Sequence, residues 1–189
     1  GNVISTFDVT SYGFGTGDFN TVANAILAEV DEDYFTELAG TVAGPAGQDL
    51  RVDFMIGDIG TAPAGVSEYY FIQIGTGISG PHSGGPLGVA GTSKVRTSSG
   101  SNGSAATGDV VGSVFTDEIV TMGSLTPSNA LTSGNIGYTT HGIGGTLSHE
   151  VGHTLSLSHI SKSGSVQPTA GVSPLMGTGA IDLPNNDRI

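Results

Sequence analysis

Residues 149–159 read His-Glu-Val-Gly-His-Thr-Leu-Ser-Leu-Ser-His. On an α-helix, His149 and His153 would lie on one face, one turn apart, because four positions separate them. Two imidazoles in that arrangement can bind one metal ion at about 2.0–2.1 Å. Glu150 follows the first histidine directly, so its carboxylate can take a proton from a water molecule that the metal activates. The pattern predicts a helix that begins near residues 144–147 and carries a catalytic metal site.

The predicted helix also has an apolar face. Leu147, Val151 and Leu155 recur at intervals of four residues, which places them in one stripe along a helix. Gly152 has no side chain, so another segment of the chain can pass close to the helix at this point. We therefore expect the helix to pack into the core on one face and to present its histidines on another.

The third ligand of the site is predicted to be His159, since a catalytic zinc site usually has three protein ligands and an open position. His159 lies six residues past His153, too far round for a helix that continues. The chain must therefore turn after about Leu155. No glutamate follows Glu150, and Asp182 is the alternative third ligand on its ligand chemistry.

These eleven residues resemble the signature of the metzincin clan of zinc peptidases, HExxHxxGxxH. His149, Glu150, His153 and His159 match it one for one. Three further residues match the HExGHxLGLxH form found in matrixins and their relatives: Gly152, Leu155 and Leu157. The family glycine that turns the chain out of the helix is replaced by Ser156, whose Cβ makes such a turn costly. The resemblance implies zinc held by the three histidines, with Glu150 as the general base of peptide hydrolysis.

Metzincins also have a methionine turn beneath the metal, and residues 173–177, Ser-Pro-Leu-Met-Gly, resemble it. By this resemblance Met176 forms an apolar floor under the imidazoles without binding zinc. A single methionine is more often core filling when it is taken alone. Its place after the third histidine, beside proline and glycine, favours the functional interpretation.

The fold class expected from this resemblance is α/β, as in other metzincin-like zincins. It has a twisted mixed β-sheet and two main helices above a cleft, followed by a small irregular C-terminal lobe. The 189 residues suit one compact domain. We therefore expect residues 1–189 to form a single catalytic domain, with an upper lobe of about residues 1–156 and a lower lobe of about residues 157–189.

The remaining elements are predicted from apolar spacing and from turn residues. A helix is expected over residues 18–38, with four side chains near helical spacing: Val22, Ile26, Val30 and Phe35. Branched, aromatic or alternating apolar residues predict strands in five segments: residues 3–9, 50–56, 68–74, 87–90 and 110–120. Glycine, serine and threonine predict loops in two segments: residues 91–108 and 126–145.

The composition excludes several classes of partner. Seventeen acidic residues against five basic ones give a net charge of −12, so no basic face is available to bind nucleic acid or an anionic membrane. No apolar run approaches the length of a membrane span. Cysteine is absent, which excludes disulfides and thiolate ligands. We expect a monomer, and secretion is expected only from the metzincin resemblance.

Two other groups of residues are candidate sites. One is the acidic run Asp31, Glu32 and Asp33, whose oxygens could bind calcium, but a charged helix end that faces water is the favoured interpretation. His82 and His141 lie in glycine-rich sequence, and we expect solvated loop histidines at both positions.

The function predicted from these features is that of a zinc endopeptidase. By the same resemblance, its protein or peptide substrate is expected to lie extended in the cleft along an exposed strand edge, and residues 87–90 or 110–115 could supply that edge. The alternative is a non-catalytic zinc-binding module for adhesion or scaffolding, although such a module has no use for the carboxylate of Glu150. A further alternative is a surface structural protein in which the motif is accidental.

Overall fold

The fold is a mixed α/β arrangement of a four-stranded mixed sheet and two main helices. The computed structural model describes residues 4–37, 52–77, 86–123, 134–159, 172–173, 175–176 and 187–188. Most of the expected upper lobe falls in these ranges. Most of the expected lower lobe lies outside the described residues, and so do His82 and Asp182.

The first main helix, α1, spans Phe19–Asp31. Val22, Ile26 and Val30 are buried along one stripe, as the spacing predicts. A π-helical turn, Glu32–Glu37, continues the helix. Within it Tyr34, four residues after Val30, is buried, whereas Phe35 is 38% exposed. The expectation for Phe35 was therefore wrong, because the four-residue interval carries the apolar stripe through Tyr34 instead.

The sheet has the strand order β1-β2-β4-β3. Its strands are β1 (Ile4–Thr6), β2 (Phe71–Gly77), β3 (Gly88–Ala90) and β4 (Val110–Phe115). β2 runs parallel to β4, whereas β1 and β3 are antiparallel to their neighbours. A strand forms in each of four predicted segments, but the bounds differ: β1 ends at Thr6 and β2 begins only at Phe71. β4 ends at Phe115, where helix α2 (Thr116–Gly123) begins. Because β4 is paired on both sides, residues 110–115 do not form a free edge, and that suggestion was wrong.

The strand predicted at residues 50–56 is not formed over its described part, residues 52–56. Phe54 instead packs its ring against the rings of Tyr34 and Phe35, with centroids 5.3 and 5.8 Å away. Met55 and Ile56 are 48% and 51% exposed. The apolar alternation was misleading because contact with the end of the first helical segment partly buries Phe54, and no strand pairing is involved.

The second main helix begins earlier than its motif suggests. Helix α3 (Ile136–Thr139) leads through a π-helical segment, Thr140–Gly144, into α4 (Gly145–Thr154). The loop predicted at residues 126–145 is therefore wrong from Ile136 onward; residues 126–133 lie outside the described part. The glycines after Ile136 suggested a loop, but they lie in helical structure, where Gly144 allows a close approach to α1. A Cβ on Gly144 would lie 2.8 Å from Cγ of Glu29 on α1, so only glycine permits this approach.

Two apolar clusters hold these elements together. The first joins β4 to α1 and the π-helical segment, and its buried members are Phe7, Val9, Tyr12, Val22, Ile26, Val114, Ile119 and Ile143. The second joins α4 to the end of the first helical segment and to a C-terminal piece, through Val30, Tyr34, Val151, Leu175 and Met176. The motif helix is thus packed from several directions, which restricts where its polar face can point.

Two short C-terminal strands complete the described part, with β5 (Val172–Ser173) parallel to β6 (Asp187–Arg188). Within the described ranges, no helix is both long enough and apolar enough to span a membrane.

Replacing Gly144 by alanine is expected to lower the free energy of unfolding. Overpacking against Glu29 costs about 1–3 kcal/mol, which exceeds the helix-propensity gain of about 1 kcal/mol from glycine to alanine. Gly137→Ala in α3 is the matched control, because its Cβ would meet only Asn135 Oδ1, at 3.4 Å. Urea unfolding of both variants measures the difference, and equal unfolding free energies would contradict the close helix contact.

Candidate metal centre

The three predicted histidine ligands come together at the end of α4. The Nε2 atom of His159 lies 3.0 Å from Nε2 of His149 and 3.0 Å from Nε2 of His153. Nitrogen donors on a tetrahedral zinc ion are about 3.3 Å apart when each is about 2.0–2.1 Å from the metal. The observed spacing is close to that value. His149 is buried, His153 is half-buried and His159 is exposed, so the group opens to solvent on one side.

Backbone carbonyl groups orient two of the three rings. The Nδ1 atom of His149 lies 2.8 Å from the carbonyl oxygen of Leu175, and Nδ1 of His153 lies 2.9 Å from that of Leu157. A carbonyl only accepts, so each Nδ1 must carry the proton and donate it. In the neutral rings of His149 and His153 the Nε2 atom then carries a lone pair, and each of these atoms faces Nε2 of His159. Three imidazole nitrogens gathered in this way form a donor set that fits a bound metal ion.

The turn that delivers His159 is a helix-ending motif with left-handed backbone at Ser156. The amide of Ser156 donates to the carbonyl of His153 over 3.0 Å, and the amide of Leu157 donates to that of Gly152 over 2.9 Å. This pair of bonds defines a Schellman motif, whose left-handed position usually holds glycine. Ser156 adopts that conformation, with φ of 74°. The turn predicted after Leu155 is therefore present, and serine makes it in place of the glycine that is usual in this motif.

The segment that follows β3 caps the same helix end. The amide of Ser93 donates to the carbonyl of His153 over 3.0 Å, and the amides of Val95 and Arg96 donate to that of Thr154 over 2.9 and 3.1 Å. These bonds satisfy carbonyl groups that the end of a helix leaves without intrahelical donors. Residues 91–108 are irregular, as predicted, but Ser93, Val95 and Arg96 are half-buried rather than exposed.

Glu150 belongs to α4, which we call the metal helix, and its side chain contacts the edge strand of the sheet. Its side chain is buried, with 5% of the residue exposed. A Cβ built on Gly88 would lie 2.7 Å from both Cγ and Oε1 of Glu150. Since Gly88 belongs to the edge strand β3, the carboxylate sits directly against the backbone of that strand. The sequence did not reveal this contact, because the two residues are far apart along the chain.

The predicted methionine lies under the metal helix. Leu175 and Met176 are buried, and a Cβ added to Gly152 would overlap the sulfur of Met176. Gly152 therefore permits the close passage that its position in the helix suggested. One short segment thus supplies both the apolar contact beneath the helix and the carbonyl that orients His149.

Tyr34 is a supporting residue that the sequence analysis missed. Its hydroxyl donates to the carbonyl of Ser148, immediately before His149, over 2.7 Å. Burial, and secondarily the charge of Asp33, raises the pKa of Tyr34, so the phenol stays protonated and remains a donor. Its position four residues after Val30 was the signal that could have marked it as inward-facing.

The other candidate residues do not join this site. His141 lies on the π-helical segment rather than in a loop, and its Nδ1 is 2.8 Å from Oε1 of Glu29. Asp33 is 1% exposed, so a charged end that faces water is wrong for that residue. Burial, with a smaller contribution from Asp53, raises the pKa of Asp31. Among the described residues, one group of at least three side chains is arranged to hold a metal ion, the three histidines of α4 and its turn.

No protein family model, no curated protein and no solved structure matches the chain.

His159→Ala is expected to weaken zinc binding by more than about 100-fold, because one of three ligands is lost. His141→Ala is the matched control and should bind zinc as the wild type does, since its ring contacts Glu29. Zinc content after dialysis and competition with a chromogenic chelator measure both affinities. Equal losses in the two variants, or a wild type without stoichiometric zinc, would contradict the three-histidine site.

Proposed function

We propose that this protein is a zinc-dependent endopeptidase with a metzincin-like fold. The observation that carries the proposal is the position of Glu150, whose carboxylate lies against Gly88 of the edge strand, one residue from a metal ligand. A purely structural zinc site has four protein ligands and needs no such carboxylate. Three imidazoles, an adjacent buried carboxylate and a strand edge are the parts that metal-assisted peptide hydrolysis requires.

Zinc is the metal that this donor set fits best, since three imidazoles with an open position are typical of catalytic zinc sites. When bound, zinc would supply an electrophile for the peptide carbonyl group and a nucleophilic water at neutral pH. His149, His153 and His159 would hold it. Glu150 would take a proton on its carboxylate and later pass it to the leaving amine, as a general base and then a general acid.

The edge strand β3 is the proposed binding surface for the substrate backbone. β3 pairs with β4 on one side and forms an end of the sheet among the described strands. An extended peptide can add to such an edge through main-chain hydrogen bonds. Because Gly88 contacts Glu150, a peptide on this edge would pass beside the carboxylate.

The order of the described elements supports the metzincin-like assignment. A sheet and a long helix precede the metal helix, a turn then delivers the third histidine, and a buried methionine follows it. The cleft and the lower lobe belong to the proposal, because most of residues 157–189 lie outside the described part. A non-catalytic zinc module is the competing function, and it predicts bound zinc without turnover.

Zinc content and cleavage of an unfolded protein substrate, compared between wild type and Glu150→Gln, test the proposal. We expect stoichiometric zinc in both proteins and a fall in kcat of about 10²- to 10⁴-fold in the variant, because the proton acceptor is lost. Glu32→Gln changes an exposed carboxylate on the π-helical turn and should leave activity unchanged. Zinc-loaded wild type that cleaves nothing across a broad peptide library would favour the non-catalytic module.

Gly88→Ala is expected to reduce turnover without removing the metal. The new Cβ would displace the flexible end of the Glu150 side chain, so the fold should persist while the carboxylate moves. A displacement of about 1 Å at a catalytic group can cost about 100-fold in rate, so a fall in kcat of about 10- to 100-fold is expected. Gly57→Ala, where the added Cβ would meet no atom within 4 Å, is the matched control. Steady-state kinetics with zinc analysis make the comparison, and unchanged kcat in Gly88→Ala would contradict this role of the contact.

A further inference from the structure

Two serines near the metal centre share an uncommon backbone conformation. Among the described residues, Ser93 and Ser156 are the non-glycine residues with positive φ, at 60° and 74°. Side chains other than glycine rarely adopt this conformation, because Cβ is crowded there. The two serines are 63 positions apart in sequence, yet their hydroxyl oxygens lie 2.7 Å apart.

The hydroxyl of Ser156 makes a second contact that glycine could not make. It donates to the carbonyl oxygen of Arg96, over 2.5 Å. Both contacts are half-buried, so water competes with them less than at an open surface. Compared with glycine, serine is less favourable in this backbone conformation, but its hydroxyl makes two polar contacts with the segment after β3.

The contact between the two serines links the turn that carries His159 to the segment that follows the edge strand β3. Ser156 lies three residues after His153 and three before His159. Ser93 lies three residues after Ala90, the last residue of β3. The amide of Ser93 also donates to the carbonyl of His153, so the hydroxyl contact reinforces an existing backbone connection.

We infer that Ser93 and Ser156 form a latch, a polar contact that holds the edge strand β3 in a fixed position relative to α4, the helix that carries His149 and His153. The latch consists of the two hydroxyl groups and the carbonyl of Arg96. Both serines are positioning residues: they act through β3 and touch neither the metal ligands' Nε2 atoms nor the general base. Because β3 is the proposed substrate edge, the consequence for substrate binding rests on the proposed function.

A double-mutant cycle with Ser93→Ala, Ser156→Ala and the double variant tests the latch. The first measurement is amide hydrogen exchange at residues 93–96 in the zinc-loaded protein, and it needs no activity. We expect exchange to be about fivefold faster or more in each single variant, since a stabilising hydrogen bond is removed. The double variant should resemble Ser156→Ala, because one shared contact cannot be lost twice. Ser104→Ala, an exposed serine of the same segment, is the control.

The second measurement is steady-state cleavage of a peptide by the same proteins. The latch predicts an increase of about fivefold in KM, equivalent to about 1 kcal/mol, with kcat and zinc affinity within about twofold of wild type. Ser156→Gly separates the hydroxyl from the backbone, because glycine adopts the left-handed turn freely. It should show the same rise in KM while its thermal stability stays at or above that of Ser156→Ala.

Three outcomes are distinguishable. Wild-type KM and wild-type exchange in Ser156→Gly would overturn the latch, since only the backbone would then matter. Additive effects of the two alanine substitutions would also overturn it, because the hydroxyls would then act separately. If the zinc-loaded wild type cleaves no peptide, the proposed function fails, and hydrogen exchange alone decides whether the latch exists.

Discussion

The site depends on one electrostatic constraint: Nε2 of His159 is held 3.0 Å from Nε2 of His149 and 3.0 Å from Nε2 of His153. Lone pairs on nitrogens this close repel one another, so the surrounding structure must impose the arrangement. Carbonyl groups of Leu157 and Leu175 do so for two rings by accepting hydrogen bonds from the Nδ1–H groups. The helix spacing sets His149 against His153, and the left-handed residue Ser156 turns His159 back toward them. A metal ion would convert the repulsion into three coordinate bonds.

Glycine has a different role around this helix from the one its abundance suggests. The chain contains 32 glycines, a composition that points to turns and loops. At three described glycines in or against the helical segment that carries the histidines, a neighbour instead occupies the space that a Cβ would take. Gly144 meets Glu29, Gly152 meets the sulfur of Met176, and Gly88 meets the carboxylate of Glu150. Close approach at these positions lets α1, the C-terminal segment and β3 all reach the motif helix.

The C-terminal end of α4 carries both the histidine cluster and the contacts with the segment that follows β3. The carbonyl of His153 accepts from the amides of Ser93 and Ser156, while its ring points toward the other two histidines. The backbone of a proposed metal ligand is thus part of the cap that attaches the sheet-edge segment to the helix. Coupling a ligand to the strand beside it gives the site a fixed relation to the proposed substrate edge, which loose loops would not provide.

The sequence by itself determined the local features, because helical periodicity and ligand spacing are properties of neighbouring residues. It predicted α1 with its inward-facing Val22, Ile26 and Val30, four strand positions, the metal helix and the need for a turn after Leu155. Contacts between distant segments decided the rest. Only the tertiary structure showed that β3 rather than β4 is the sheet edge, that Gly88 lies against Glu150, and that Ser93 meets Ser156. It also showed that Phe35 is exposed, that residues 52–56 form no strand, and that the predicted loop is helical from Ile136 onward. Burial at these positions depends on partners that no local pattern encodes.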